Sequence, residues 1–260
     1  MADFSTIKGI MFDLDGVLYV GNTPVEGAID AVKQLRKVGY VCRFVTNTST
    51  LSLASLQKKL SGLGFEVDQS EIFSAPQAAL HLLKQQDNPI CRLLLAEDVK
   101  RDFQQFQQSD TDAQWIVIGD IGNTWTYAML NEVFQCVMGG GKLLAIHKNR
   151  FWQTEQGLQM DIGAFIDGLE YATNTQATMI GKPSADFFSA VLADMQLTPE
   201  QVLMIGDDID ADVGGAQASK IRGVLVRTGK YRQAYAESSA VQPNATLNSI
   251  ADLPALLRSA

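Results

Sequence analysis

Short apolar runs alternate along this chain with longer stretches whose apolar positions recur every three or four residues. A run of four to eight apolar residues bounded by turn residues reads as a buried strand, and the three-to-four spacing reads as a helix with one buried face. On that basis strands are predicted at 10–12, 40–45, 72–74, 92–95, 115–118, 143–146, 202–205 and 223–226. Helices are predicted at 27–38, 53–63, 78–84, 99–106, 128–138, 162–172, 185–195, 213–218 and 250–257. The stretch 151–160, punctuated by Gly157, reads as a hairpin, and Asn22-Thr23-Pro24 as a turn. Thr198-Pro199-Glu200-Gln201 carries a helix-start signature, a threonine cap followed by proline. Strand–helix alternation with short connections implies parallel sheets, so the fold class is α/β. The middle third repeats the rhythm as a smaller α/β unit of its own, and no glycine- or serine-rich linker marks its edges.

The polar residues that stop these strands are not random. The run 10–12 ends at Asp13 and Asp15 with Gly16 behind them, and the run 40–45 ends at Thr46-Asn47-Thr48-Ser49. The run 202–205 ends at Gly206-Asp207-Asp208, with Asp210 and Asp212 following, and Lys182 stands just before the helix at 185–195. Open α/β sheets bind ligands at the carboxyl ends of their strands. Two carboxylates held together repel and need a cation or a shared proton. Asp-x-Asp-Gly alone could equally be a solvated acidic turn, so the other strand ends decide. Ile118-Gly119-Asp120 imitates Ile205-Gly206-Asp207, but Ile121, Gly122, Asn123 and Thr124 follow it, and it reads as an ordinary turn. Acids at 208, 210 and 212 would also suit a helix N-terminus, and for Asp210 that is the better reading.

Composition narrows the classes. The 260 residues suffice for one large domain or two modest ones. A net charge of -8 argues against a basic surface for nucleic acid or anionic membranes. It also means that an anionic substrate needs a local cation or lysine to enter. Cys42, Cys91 and Cys136 are scattered among apolar residues and read as packed thiols in a reducing compartment. No charged segment leading into an apolar stretch opens the chain, and no run is long enough to span a bilayer, so a cytoplasmic protein is expected. The histidines, His81 and His147, are too few and too separated for a zinc site. His81 reads as a helix-surface residue. His147 begins the basic cluster His147-Lys148-Asn149-Arg150, which reads as a solvated strand end, with contact to a substrate as the alternative.

The carboxylates around Asp13 and Asp207 form a hard-oxygen set suited to Mg²⁺, which takes one or two carboxylates together with water and phosphate. Lys182 adds a compact positive charge, and Thr46 and Asn47 offer hydrogen bonds to phosphate oxygens. A carboxylate so placed can attack phosphorus and form an aspartyl-phosphate.

Asp13/Asp15, Thr46/Asn47, Lys182 and Asp207/Asp208 with Asp212, in that order, resemble the haloacid dehalogenase superfamily. The stretches Val45-Thr46-Asn47-Thr48, His147-Lys148-Asn149-Arg150-Phe151-Trp152, Gly181-Lys182-Pro183 and Thr228-Gly229-Lys230-Tyr231 are similar to its NagD-like branch. Thr48 stands where many members of that branch carry asparagine. The resemblance implies a Rossmann-like, doubly wound core at 1–77 and 180–260 with an inserted, substrate-selecting α/β cap at 78–179. It implies a Mg²⁺-dependent phosphatase acting on a small phosphorylated molecule, with pyrophosphate or a phosphoamide such as phosphohistidine or phospholysine as the alternative substrate. A phosphorylatable regulatory module is a further alternative, disfavoured by the inserted unit. By position, Asp13 is the nucleophile and a metal ligand. Asp15 is the general acid and base, with its backbone carbonyl on the metal. Lys182 joins the catalytic group and binds phosphate with Thr46 and Asn47. Asp207 is the direct acidic ligand of the last motif, and Asp208 and Asp212 stand behind it, on metal-held waters or orienting Lys182. Some relatives replace the second aspartate by serine, and retention of Asp15 implies turnover. The branch also implies a homodimer.

Overall fold

The computed structural model of the protein describes residues 3–154 and 157–258. Its main strands, in chain order, are β1 (Gly9–Asp13), β2 (Val41–Thr46), β3 (Ile72–Ser74), β4 (Cys91–Leu94), β5 (Trp115–Ile118), β6 (Lys142–Ala145), β7 (Thr178–Met179), β8 (Val202–Gly206), β9 (Arg222–Val226) and β10 (Ala245–Leu247). The chain divides into two compact units. The first comprises Met1–Thr46, Gln57–Phe73 and Lys182–Ala260, and the second Asn47–Leu56 and Ser74–Gly181.

In the first unit six strands lie in the order β10-β9-β8-β1-β2-β3. β1 is central and runs parallel to both β2 and β8. All five of its residues are buried, as are all five of β8. A strand covered on both faces has no polar side to alternate with, which is why these segments read as continuous apolar runs. The chain moves from β1 outward through β2, then returns to the other side of β1 for β8, β9 and β10. The strand order therefore reverses between β1 and β8, and the carboxyl ends of those two strands open the crevice that such sheets use for ligands. The helix Ala28–Val38 buries Ala28, Ala31, Val32 and Leu35 and ends at Gly39, whose φ of 103° lies in the left-handed region.

The second unit has its own four-stranded parallel sheet, ordered β7-β6-β5-β4. Successive side chains of a strand point to opposite faces. Trp115, Val117 and Leu144 accordingly join one apolar cluster with Ala75, Ala79, Leu83 and Phe103, while Ile116, Ile118 and Leu143 join another with Val133, Val137 and Ile166. The helix Ala75–Lys84, which packs in the first of these clusters, starts three residues before the predicted 78–84. Ser74 caps it, accepting from the Gln77 N–H, and Pro76 stands in the first turn. That start signal outweighs the weak apolar periodicity of its first residues. The predicted hairpin appears as Phe151–Thr154 antiparallel to Gly157–Met160, with residues 155 and 156 outside the described residues.

Several elements differ from expectation where the local sequence is short or ambiguous. The predicted helix at 99–106 is a single α-turn, Glu97–Lys100, followed by a 3-10 turn, Arg101–Phe103. The Thr198 signature starts only a 3-10 turn, Pro199–Gln201, that leads directly into β8. The 213–218 helix is preceded by a wide π-type turn, Ile209–Gly214. The expected turn at 22–24 is part of a small antiparallel pair, Tyr19–Val20 with Thr23–Pro24. The helix Gln233–Ser238 and strand β10 had no clear periodic signal. Among the described residues no helix is long and apolar enough to cross a membrane.

Candidate active site

β1 delivers Asp13 to the carboxyl edge of the sheet, with Val45 opposite it in register and Thr46, buried, ending the neighbouring strand. On the other side β8 ends at Gly206, and Asp207 follows. Lys182 enters this edge almost fully enclosed, at 2% exposure. Its Nζ lies 2.5 Å from Asp13 Oδ1 and 2.6 Å from Asp212 Oδ1, and 3.4 Å from the Val45 carbonyl oxygen. One ligand oxygen each from Asp13, Asp207 and Asp212 fall within 4.8 Å of one another, and all three residues are buried. Asp212 reaches back because residue 206 is glycine, since a Cβ there would collide with the Asp212 carboxylate.

Three buried carboxylates thus lie together, and two of them, Asp13 and Asp212, contact Lys182. Burial lifts the Asp13 pKa, with Lys182 pulling the other way. Burial and then repulsion from Asp13 push Asp207 well above the usual carboxylate range. Asp212 is pushed up to about 7, by burial first, against the attraction of Lys182 and with further repulsion from Asp13 and Asp208. Burial disfavours the Lys182 ammonium, yet Asp13 and Asp212 outweigh it and hold that pKa above its ordinary value. Such a site carries excess negative charge and favours a proton or a cation.

The remaining predicted residues fall around this cluster. Asp15 exposes its side chain, and desolvation by its surroundings raises its pKa against the fields of Lys59 and Lys230. Asp208 spends one oxygen on the turn, accepting from the N–H groups of Asp210 and Ala211 at 3.0 Å each. Its other oxygen lies 3.7 Å from Lys230 Nζ. Asp210 points outward and accepts from the Tyr235 hydroxyl. Asn47 is grouped with the second unit, where a Cβ on Gly181 would strike its side chain.

Two basic groups to which the sequence analysis gave no role in the site belong here. Lys230 donates its backbone N–H to Asp207 Oδ2 at 2.6 Å, and its ammonium is held above its ordinary pKa by Asp207 and Asp208 despite burial. Lys59 rests its Nζ 4.3 Å from the centre of the Tyr19 ring. The signal for Lys230 was the position of Thr228-Gly229-Lys230 immediately after an apolar strand; Lys59 had none, since it looks like any lysine on an amphipathic helix.

In the second unit His147 is buried, not a solvated strand end. Its Nε2 lies 3.4 Å from Ser49 Oγ and its Nδ1 3.9 Å from Asp161 Oδ1. Lys148 pairs with Asp167 and Glu170, both at 2.7 Å, and Arg150 is exposed. His81 lies on a helix surface as expected. The three cysteines are buried and unbridged, and burial pushes the Cys42 and Cys91 thiols up to about 11, which leaves them unreactive.

Two family descriptions match the chain, "Haloacid dehalogenase-like hydrolase" over residues 10–108 and "HAD-hydrolase-like" over residues 179–253. The chain is 41% identical over 235 residues to haloacid dehalogenase-like hydrolase domain-containing protein 2 of Bos taurus, covering 90% of this chain and 89% of that one. It is 35% identical over 258 residues to the phospholysine phosphohistidine inorganic pyrophosphate phosphatase of Homo sapiens, covering 96% and 94%. The fold matches a p-nitrophenyl phosphatase from Archaeoglobus fulgidus with a TM-score of 0.89 at 26% identity, over 98% and 99% of the two chains. It also matches the fold of NagD from E. coli K-12, with a TM-score of 0.82 at 21% identity over 95% and 98%. The doubly wound sheet, the acidic edge and these similarities together mean that the chain belongs to the haloacid dehalogenase-like hydrolases, with a NagD-like fold, and is an enzyme of their phosphohydrolase type.

Proposed function

We propose that the protein is a Mg²⁺-dependent phosphatase that cleaves a small phosphorylated molecule through an aspartyl-phosphate. The observation that carries this reading is the buried cluster of Asp13, Asp207 and Asp212, with Lys182 held between Asp13 and Asp212. Its donors are all hard oxygens, the chemistry Mg²⁺ prefers. Asp13, Asp207 and the backbone carbonyl of Asp15 would hold the ion, with Asp208 and Asp212 behind them. When bound, it supplies positive charge that offsets the repulsion among the acids and the charge of an incoming phosphoryl group.

The side chains then have separate jobs. A carboxylate oxygen of Asp13 attacks phosphorus, the bond from phosphorus to the leaving oxygen breaks, and Asp15 gives that oxygen its proton. In the second step Asp15 takes a proton from water, whose oxygen attacks phosphorus, and the bond to Asp13 breaks to release inorganic phosphate. A carboxyl with a raised pKa, as at Asp15, suits a group that must first donate and then accept. Lys182, Thr46 and Asn47 bind the phosphoryl oxygens. The unit inserted at 78–179 acts as the cap that selects the leaving group. On the same reading the enzyme works in the cytoplasm, as a homodimer, on a small-molecule phosphate.

A second substrate reading, pyrophosphate or a phosphoamide, is favoured by the similarity to the human phosphatase named for those compounds. Both readings use the same two steps, because a leaving amine needs a proton as an alkoxide does. Turnover of a phosphate-ester panel beside pyrophosphate, with Mg²⁺ and with chelator, separates them. Asp13→Asn is expected to lower hydrolysis of an aryl phosphate by about 10⁴-fold or more. Hydrolysis at the parental rate would end the nucleophile assignment.

A further inference from the structure

Asp207 is gripped from three directions by backbone. Gly16, at φ +94°, and Gly229, at φ +59°, both pack so closely on Asp207 that a Cβ on either would collide with Oδ2. The two glycines also face each other, since a Cβ on Gly229 would strike the Cα of Gly16. The Lys230 N–H donates to the same oxygen, Oδ2, at 2.6 Å. Across the join, the Thr228 hydroxyl donates to the Gly16 carbonyl oxygen, tying the loop after β9 to the loop after β1. Positive φ is inexpensive only for glycine, and the close approach requires the absence of Cβ, so both positions are specified twice over.

The three contacts converge on one oxygen of the carboxylate. From this we infer that Thr228, Gly229 and Lys230 act as a positioning clamp that makes Asp207 a one-oxygen ligand and so discriminates Mg²⁺ from Ca²⁺. Oδ2 is engaged by the N–H and sheathed by the glycines, which leaves Oδ1 as the oxygen Asp207 offers. Mg²⁺ demands near-ideal octahedral geometry and accepts single oxygens, whereas Ca²⁺ takes six to eight oxygens and gains from carboxylates that give both. A ligand that cannot turn its second oxygen toward the ion therefore penalises Ca²⁺ more. Thr228, Gly229 and Lys230 act through Asp207, and none of them is required to touch the substrate. The inference rests on the metal reading proposed above.

The test measures Mg²⁺ and Ca²⁺ affinity of the full chain by titration calorimetry, in the parent, Gly229→Ala, Thr228→Val and Asp207→Asn. Gly229→Ala should weaken Mg²⁺ binding about tenfold or more while Ca²⁺ affinity changes little or rises, so that the Mg²⁺-to-Ca²⁺ ratio collapses. Thr228→Val removes only the tie to Gly16 and should lower the ratio a few-fold in the same direction. Should Gly229→Ala fail to fold, Thr228→Val carries the measurement alone. An unchanged ratio in a folded Thr228→Val and Gly229→Ala, or equal loss of both ions, overturns the clamp. Asp207→Asn separates the two levels of inference. If it binds Mg²⁺ like the parent, the metal assignment itself falls; if it loses Mg²⁺ while the clamp variants keep the parental ratio, only the clamp falls.

Discussion

Ile-Gly-Asp occurs twice in this chain, each time where a parallel strand ends: at 118–120 on β5 and at 205–207 on β8. The two copies do different things. Asp120 is half-buried, its Oδ1 accepts from the Gly122 N–H at 2.7 Å, and its own N–H donates to Ser49 Oγ at 3.0 Å. It closes a turn. Asp207 is buried beside Asp13 and Asp212, and its carboxyl resists ionisation. The difference lies in the neighbouring strands. β8 lies against β1, which ends in an acid, at the point where the strand order reverses. β5 lies between β4 and β6, which run on into Leu95 and Ile146, both buried apolar residues. A local motif becomes a site only when topology brings it a chemically matched partner.

The largest expected effect tests that contrast directly. Asp207→Asn should lower kcat/KM for an aryl phosphate by about 10³-fold or more, while Asp120→Asn stays within about twofold of the parent. Comparable losses in both would break the comparison. Lys182→Met should cost about 10²- to 10³-fold, because it removes an ammonium in contact with both Asp13 and Asp212. The same rate measurement checks it, and a loss below tenfold would show that the acids hold their geometry without it.

A pH series sharpens the electrostatic side. The Asp212 carboxyl sits near 7 in the folded chain against an ordinary value of 3.8, so the folded state holds its proton more tightly than the unfolded one. Its contribution to stability is complete below the ordinary value and is lost as pH rises toward 7. For protein in chelator this loss should reach at most about 4 kcal/mol. On the proposed metal reading Mg²⁺ would compete with that proton, so the rise in Tm on adding Mg²⁺ should grow across the same interval. Melting curves at several pH values with and without Mg²⁺ measure this, and an identical metal shift at pH 5 and pH 8 would contradict it. The smallest effect belongs to the other strand end. Ser49→Ala deletes a buried hydroxyl that serves Asp120 and His147 and should cost about 1 to 2 kcal/mol in denaturant unfolding. A cost near zero would mean that Asp120 closes its turn unaided.

The parts of this arrangement that the sequence made legible are those carried by side-chain type and strand burial. The all-apolar runs of β1 and β8 announced central strands, and Asp13, Lys182 and Asp207 could be picked out because charge at the end of such a run is costly unless used. What stayed hidden depends on backbone direction. The Lys230 N–H is a donor in any sequence, and only the fold aims it at Asp207. Asp212 was expected, like Asp208, to stand behind Asp207 on metal-held water or orienting Lys182, but the backbone path that would take it there was not legible. The wide turn at Ile209–Gly214 supplies that path and brings it back to Lys182. His147 was misread for a related reason. Its flanking lysine and arginine suggested solvent, but its own side chain turns inward to Ser49, far away in the chain.

The strand order also dictates when this enzyme can exist. β1 is made before the other five strands of the sheet whose centre it becomes, yet one of its two partners, β8, is made only after the whole second unit. Until then a strand that is apolar up to its terminal Asp13 waits with one hydrogen-bonding edge uncovered, the condition under which nascent chains stick to one another. Asp13 is therefore synthesised long before Lys182, Asp207 and Asp212, the groups gathered around it in the folded sheet. A chain cut short anywhere before β8 is therefore not a weaker hydrolase but an inert, adhesive one, and chaperone demand during synthesis is written into the position of a single strand.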